Sequence, residues 1–172
     1  DTNTVGAQTV TVTVGGFTDT YDVTVIAVTL SSISVNESGA DVSYYAGEAL
    51  DISGLVVTGT YNDASTTTEA ITLANVSGFD TNTPGVQTLT VTVSGQTDTY
   101  DVTVIAVTLS SISVNESGAD VSYYVGEALD MSGLVVTGTC NNGSTTTEAI
   151  TLANISGFDT NTPGVQTLTV TV

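Results

Sequence analysis

Residues 85–105 read GVQTLTVTVSGQTDTYDVTVI, with apolar residues alternating with Thr or Asp on both sides of a Ser-Gly pair. A period of two places successive side chains on opposite faces of an extended chain, so this stretch predicts two antiparallel strands joined by a tight turn. Nearly the same text stands at residues 6–26, as GAQTVTVTVGGFTDTYDVTVI, and its first half returns at 164–172. The repetition is wider than the hairpin, because Asp1, Asp80 and Asp159 each open the phrase DTNT, 79 residues apart. The chain therefore divides into 1–27, the C-terminal part of one repeat; 28–106, a complete repeat; and 107–172, a repeat lacking its last strand. Residues 28–93 and 107–172 differ at six positions: Ala46/Val125, Ile52/Met131, Tyr61/Cys140, Asp63/Asn142, Ala64/Gly143 and Val76/Ile155. Such near-identity indicates recent duplication and makes the chain read as a window cut from a longer array. Were the window itself a subunit, one end could complete the other by strand addition.

Within the complete repeat, residues 30–35 alternate and are expected to run on from the preceding Val-Ile-Ala-Val as one strand, leaving a short link that restricts the angle between copies. Residues 36–41 (NESGAD) are turn chemistry, and 42–51 hold a Tyr pair and a GEALD phrase expected to form a short edge strand and a loop. A clear strand follows, with Leu55, Val57, Gly59 and Tyr61 on one face. It ends in a turn at 62–65. In the later copy this turn is Asn141-Asn142-Gly143, where glycine supplies the positive φ that Ala64 adopts only at a cost. Residues 66–73 predict the return strand, 76–79 a short one, and Thr83-Pro84-Gly85 the corner leading into the main hairpin. No 3.6-residue periodicity occurs, and the abundant Thr favours sheet. The fold class is all-β: a two-sheet antiparallel sandwich per repeat, with Leu55, Val57, Tyr61, Leu89, Val91, Val93, Tyr100, Val102 and Val104 facing inward and Thr88, Thr90, Thr92, Thr99 and Thr103 facing water.

Charge narrows the function. The chain carries 18 acidic residues and no Lys, Arg or His, for a formal net charge of −18. Phosphate backbones and anionic lipid surfaces would be repelled, and no apolar run reaches the roughly 18 residues of a membrane span. Nucleophilic and general-base chemistry lack their usual residues, and the carboxylates Asp98 and Asp101 are expected on an exposed strand surface without a pocket, so no catalytic residue is assigned. The single cysteine, Cys140, stands where the other copy has Tyr61 and reads as a chance substitution.

The succession Tyr45, Gly47-Glu48, Leu50-Asp51, Gly54-Leu55, then Tyr61-Asn62-Asp63, then Ser77-Gly78-Phe79-Asp80-Thr81 and Thr83-Pro84-Gly85, closing on the strands 88–93 and 100–104, resembles the bacterial immunoglobulin-like domain of group 3. The likeness spans the whole repeat. It implies tandem immunoglobulin-like sandwiches in a secreted or surface-attached prokaryotic protein, serving as stalk, spacer or adhesive unit. With no Lys present, the Lys-to-Asn crosslinks of some surface immunoglobulin-like domains are chemically impossible here.

Several constellations remain. Gln87, with Gln8 and Gln166 at the same place, shares the inward parity of Leu89; a hydrogen-bonding role at the strand end is expected in preference to an ester with Thr. The outward Thr rows resemble ice-binding arrays, yet sheet twist spoils the flat lattice match, and β-propensity accounts for the Thr. Asn36, Asn75, Asn115, Asn142 and Asn154 open Asn-x-Ser sequons and are candidate glycosylation sites. Glu37, Asp41, Asp80 and Asn82 are expected near the joint between copies, where unneutralised acids would suit calcium; otherwise no cofactor is implied. Expected partners are neighbouring copies of the repeat and self-associated fibres. Two functions stand: a structural module of an extracellular or cell-surface stalk, sheath or filament, and an adhesin module for a glycan or protein. Sameness of copies favours the first; an exposed aromatic cluster, for which Tyr44, Tyr45, Tyr123 and Tyr124 are the candidates, would favour the second.

Overall fold

The computed structural model describes residues 1–172, and the chain separates into two compact units, 1–104 and 105–172. The first unit opens with the hairpin β1 (Gly6–Val14) and β2 (Phe17–Val25), a two-stranded sheet of its own. It continues through β3 (Leu30–Asn36), β4 (Ser43–Tyr45), β5 (Val56–Tyr61), β6 (Thr66–Glu69), β7 (Val76–Ser77), β8 (Gly85–Val93) and β9 (Gln96–Ile105). The only helical geometry in this unit is a single 3-10 turn at Leu73–Asn75. Sheets β3-β5-β6 and β4-β9-β8-β7 face each other as the two layers of a sandwich.

Alternation explains the packing. Odd positions of β8 (Leu89, Val91, Val93) and even positions of β9 (Tyr100, Val102, Val104) are buried, and Leu55 and Val57 meet them from the facing layer. Tyr61 is half-buried instead, because its hydroxyl reaches outward to donate to Glu69 Oε1 at 2.9 Å. Ile33 and Tyr44 complete the core, Tyr44 lying edge-on to Phe79 with ring centroids 5.3 Å apart. Burial raises the pKa of both the Tyr44 and Tyr100 phenols. Ile33, Leu55 and Val57 from one side and Tyr44, Leu89, Val91, Val93, Tyr100, Val102 and Val104 from the other, at about 1.5–3 kcal/mol each when fully buried, hold the sandwich without any staple.

Two turns show how closely backbone is packed. A Cβ at Gly54 would fall 2.0 Å from the Gly39 carbonyl oxygen, so the 36–41 turn and the loop before β5 can touch only through glycine. At the β5–β6 turn Ala64 does adopt a left-handed φ of 65°, where Gly143 of the other copy has 79°.

The second unit contains β10 (Leu109–Asn115), β11 (Val135–Cys140), β12 (Thr145–Glu148), β13 (Ile155–Ser156) and β14 (Thr169–Val170). Sheet β10-β11-β12 repeats the register of β3-β5-β6 residue for residue. The other layer is reduced to the pair β13-β14, two residues on each side.

The expected run-on of strands between copies is not seen. β2 stops at Val25 and β3 begins at Leu30; β9 stops at Ile105 and β10 begins at Leu109. The residues between have other hydrogen-bond partners, which removes them from either ladder.

Candidate functional site

Those partners come from Asn62. Its Nδ2 donates to Ala27 O at 2.8 Å, its Oδ1 accepts from Thr29 N at 3.0 Å, and its own backbone N–H donates to Thr29 O. Asn141 treats Ala106 and Thr108 identically in the second unit, with Nδ2 to Ala106 O at 2.9 Å. A primary amide offers a donor and an acceptor side by side, so one side chain can read both backbone groups of a short segment. Each copy thus fastens the residues that lead into it to its own β5–β6 or β11–β12 turn. The sequence marks Asn62 and Asn141 as turn residues, and nothing local signals a bond spanning 33 to 35 positions.

The acidic side chains are mostly used by their own loops. Asp80 Oδ1 accepts from Asn82 N at 2.9 Å and Oδ2 from the Thr83 hydroxyl at 2.6 Å; the hydroxyl, then the amide, hold this carboxyl below the usual carboxylate range. Asp63 is lowered in the same way by the Ser65 hydroxyl and amide, and Asp51 by the Ser53 amide and hydroxyl. Asp41 Oδ1 accepts from Ser43 N at 3.0 Å, and the backbone carbonyl of Glu37 accepts from Ala40 N. The loop beginning at Asp80 is tied to the GEALD phrase: Gly47 N donates to both Thr81 O and Thr81 Oγ1, and Thr81 Oγ1 donates to Glu48 O at 2.6 Å. Of the four residues expected to hold calcium, Glu37, Asp41 and Asp80 are not gathered: no group of three or more acidic, His or Cys side chains has a geometry that could hold a metal ion.

Asp98 and Asp101 part company. Asp101 is exposed and accepts from Thr88 Oγ1 at 2.6 Å, as expected of a surface strand. Asp98 is not on that surface. It shares the inward parity of Tyr100, is half-buried, and its Oδ2 accepts from Val35 N at 2.8 Å, capping the free edge of β3 from the opposite layer. Counting back by two from Tyr100 would have shown it.

The sequon asparagines fall into two groups. Asn75 takes Thr72 N on its Oδ1 and donates from Nδ2 to Thr92 O at 2.9 Å, and Asn154 does the same with Thr151 and Thr171. A glycan on Nδ2 would compete with the bond that Nδ2 donates to Thr92 O or Thr171 O and leave the Oδ1 bonds in place. Asn36, Asn115 and Asn142 are exposed and engage only Oδ1, with Ser38 N, Ser117 N and Ser144 N. Gln87 hydrogen-bonds as expected, accepting from Asp80 N and donating to Asp80 O and Thr83 O, each at 2.7 Å; Gln166 repeats the pattern. Cys140 is a half-buried free thiol.

The Tyr pair also splits. Tyr44 is 3% exposed, its hydroxyl bridging the carbonyls of Asp41 and Asp51. Tyr45 is half-buried, whereas its counterpart Tyr124 is 87% exposed. Tyr124 lies on the rim of the principal cavity, a groove of about 1020 Å³ in the second unit bordered by Ile112, Val114, Tyr123, Leu168 and Val170.

Known proteins agree with this architecture. Residues 38–104 and 117–172 match the model of the bacterial Ig-like domain, group 3. The chain belongs to that family, and the all-β tandem immunoglobulin-like fold is what its sequence implies. A relative is Pectate lyase L of Thermoclostridium stercorarium, 35% identical over 118 residues, covering 67% of this chain and 9% of that protein. The chain thus corresponds to less than a tenth of the relative's length. No helix is long and apolar enough to cross a membrane.

Proposed function

We propose that the chain is a non-catalytic spacer segment of a larger extracellular or cell-surface protein, in which repeated sandwiches set distance. The observation that carries this reading is the Asn62 and Asn141 clamp, which recurs in both copies and fixes the residues joining one repeat to the next. A spacer gains from such a joint, whereas a binding module gains from a distinct surface. The aromatic pair that would favour adhesion is turned largely into the core where the domain is complete, with Tyr44 packed on Phe79. The likeness to a small part of a much longer pectate lyase supports a module carried within a bigger protein. Small-angle scattering on polypeptides of two, three and four complete copies tests it. Maximum dimension should rise nearly linearly, by roughly 40 Å per copy from strands of eight to ten residues at about 3.3 Å each plus loops. A dimension that levels off would overturn the spacer role.

A further inference from the structure

We propose that Asn36, Asn115 and Asn142 are acceptors for an N-linked glycan, and that the fold withholds Asn75 and Asn154 although all five open the same Asn-x-Ser pattern. The division lies in how each carboxamide is used. Asn36 Oδ1 accepts from Ser38 N, Asn115 Oδ1 from Ser117 N and Asn142 Oδ1 from Ser144 N, each at 3.0 Å, closing a turn in which Nδ2 donates to no protein group. At Asn142 the Ser144 hydroxyl also donates to Oδ1, at 2.6 Å. All three side chains are exposed. Asn75 and Asn154 are half-buried, and their Nδ2 atoms donate to Thr92 O at 2.9 Å and Thr171 O at 2.8 Å. Their Oδ1 atoms each accept twice, from the amide and the hydroxyl of Thr72 or Thr151. Either carboxamide therefore ties its 3-10 turn to a neighbouring segment and cannot swing outward without breaking three hydrogen bonds.

Transfer to a carboxamide needs a nitrogen that the donor can reach. Nδ2 attacks the anomeric carbon of a sugar carried on a lipid diphosphate: the C1–Nδ2 bond forms, the C1–O bond breaks, the diphosphate leaves with its electron pair, and Nδ2 yields one proton to a base of the transferase. The product keeps one N–H and the amide oxygen. The Oδ1 bonds that close the turns at Asn36, Asn115 and Asn142 therefore survive the reaction, and no bond of Nδ2 is given up. At Asn75 or Asn154 the same step competes with the bond to Thr92 O or Thr171 O. Asn36 and Asn115 end β3 and β10, so the acceptor recurs at one turn of each copy. Asn142 adds another at the β11–β12 turn, where the other copy has Asp63. The selection depends on the geometry of each turn by itself and holds whether or not the chain serves as a spacer.

The folded 172-residue chain, incubated with a purified oligosaccharyltransferase that accepts Asn-x-Ser and with a lipid-linked oligosaccharide diphosphate, tests this. Cleavage before Asp and after Glu puts the five asparagines on five different peptides, so the mass gain at each is read separately. Occupancy at Asn36, Asn115 and Asn142 should exceed that at Asn75 and Asn154 by roughly tenfold or more, the factor that giving up one hydrogen bond implies. Synthetic peptides of residues 32–41 and 70–79, free of the fold, should be modified alike. Ser38→Ala should abolish transfer to Asn36 and leave Asn115 unaffected, while the turn persists because Asn36 Oδ1 takes the backbone amide of residue 38. Equal occupancy at all five asparagines, or a folded chain that refuses transfer at Asn36 and Asn115, would overturn the proposal. So would refusal of the 70–79 peptide, since sequence and not the fold would then withhold Asn75.

Discussion

Residues 28–93 and 107–172 are the same text at all but six positions, and they do not have the same structure. The layer β3-β5-β6 reappears intact as β10-β11-β12, with Val57 and Val136 both fully buried. The other layer does not. β8 runs nine residues and β14 two, and the segment matching β4 forms no strand at all. Residues 105–172 contain no counterpart of β9, and the layer that β9 centres in the first unit is the one that differs. In the first layer β5 and β6 are joined by a tight turn and β3 pairs directly with β5, so its ladders do not involve β9, whereas β4 and β8 both pair with β9. Near-identical sequence therefore specifies the first layer wherever it occurs and the second only where the last strand is supplied.

The sharpest way to break this comparison is to damage the same strand in two settings. Val102 is 1% exposed in β9, and Val23 holds the equivalent place in β2. Val102→Asp should destabilise the complete domain by roughly 3–5 kcal/mol, an unpaired charge in an apolar core, which is most of the stability a domain of this size has. Val23→Asp should alter thermal or urea unfolding of that domain by no more than about 0.5 kcal/mol. Equal effects would mean that β9 does not organise the second layer.

A smaller effect separates the two turns. Ala64→Gly should stabilise the complete domain by about 0.5–1 kcal/mol, the left-handed strain of Ala outweighing the entropy that Gly adds to the unfolded chain. Gly143→Ala should cost a similar amount in the second unit, read as a fall in the urea midpoint of its unfolding at unchanged slope. If the two substitutions fail to move stability in opposite directions, the shared geometry of the turns is not what distinguishes Asp63-Ala64 from Asn142-Gly143.

The smallest difference is one of pH. Asp80 has a folded pKa depressed by Thr83 and Asn82, so its contribution is present above the unfolded-state pKa and disappears as pH falls through the folded one. Asp80→Asn should melt below the parent at neutral pH, and the gap should close in acid beneath the normal carboxylate range. Protonation of the other acids relieves repulsion in both proteins alike and cancels in the comparison. A gap independent of pH would show that the turn depends on shape and not on the ionised carboxylate.

Much of the fold was written in parity. Eight of the nine positions expected inside are buried, because alternation in β8 and β9 is nearly unbroken and in β5 fails only at Tyr61, whose polar tip finds Glu69. Ile33 was harder to see, since its strand alternates with Ser on an edge whose facing layer the sequence does not name. Bonds between distant side chain and backbone were invisible: Asn62 to Ala27, Asp98 to Val35 and Thr81 to Glu48 depend on which loops the completed sandwich brings together. The acidic loops are a different case. Chain order suggested that Glu37, Asp41 and Asp80 would converge, but each short polar loop first satisfied its own amides, and the neighbour of the Asp80 loop proved to be the backbone of Glu48.

The Asn62 clamp has a mechanical meaning. A chain pulled at its ends is loaded first at the residues just outside the first and last strands. Here the residues before β3 are held by three hydrogen bonds to Asn62, one from its backbone and two from its side chain. Tension arriving at Thr29 is therefore shared with the β5–β6 turn before the first rung of β3 bears it alone. In a tandem array under tension such a clamp would protect the strand that begins each domain from being unzipped bond by bond.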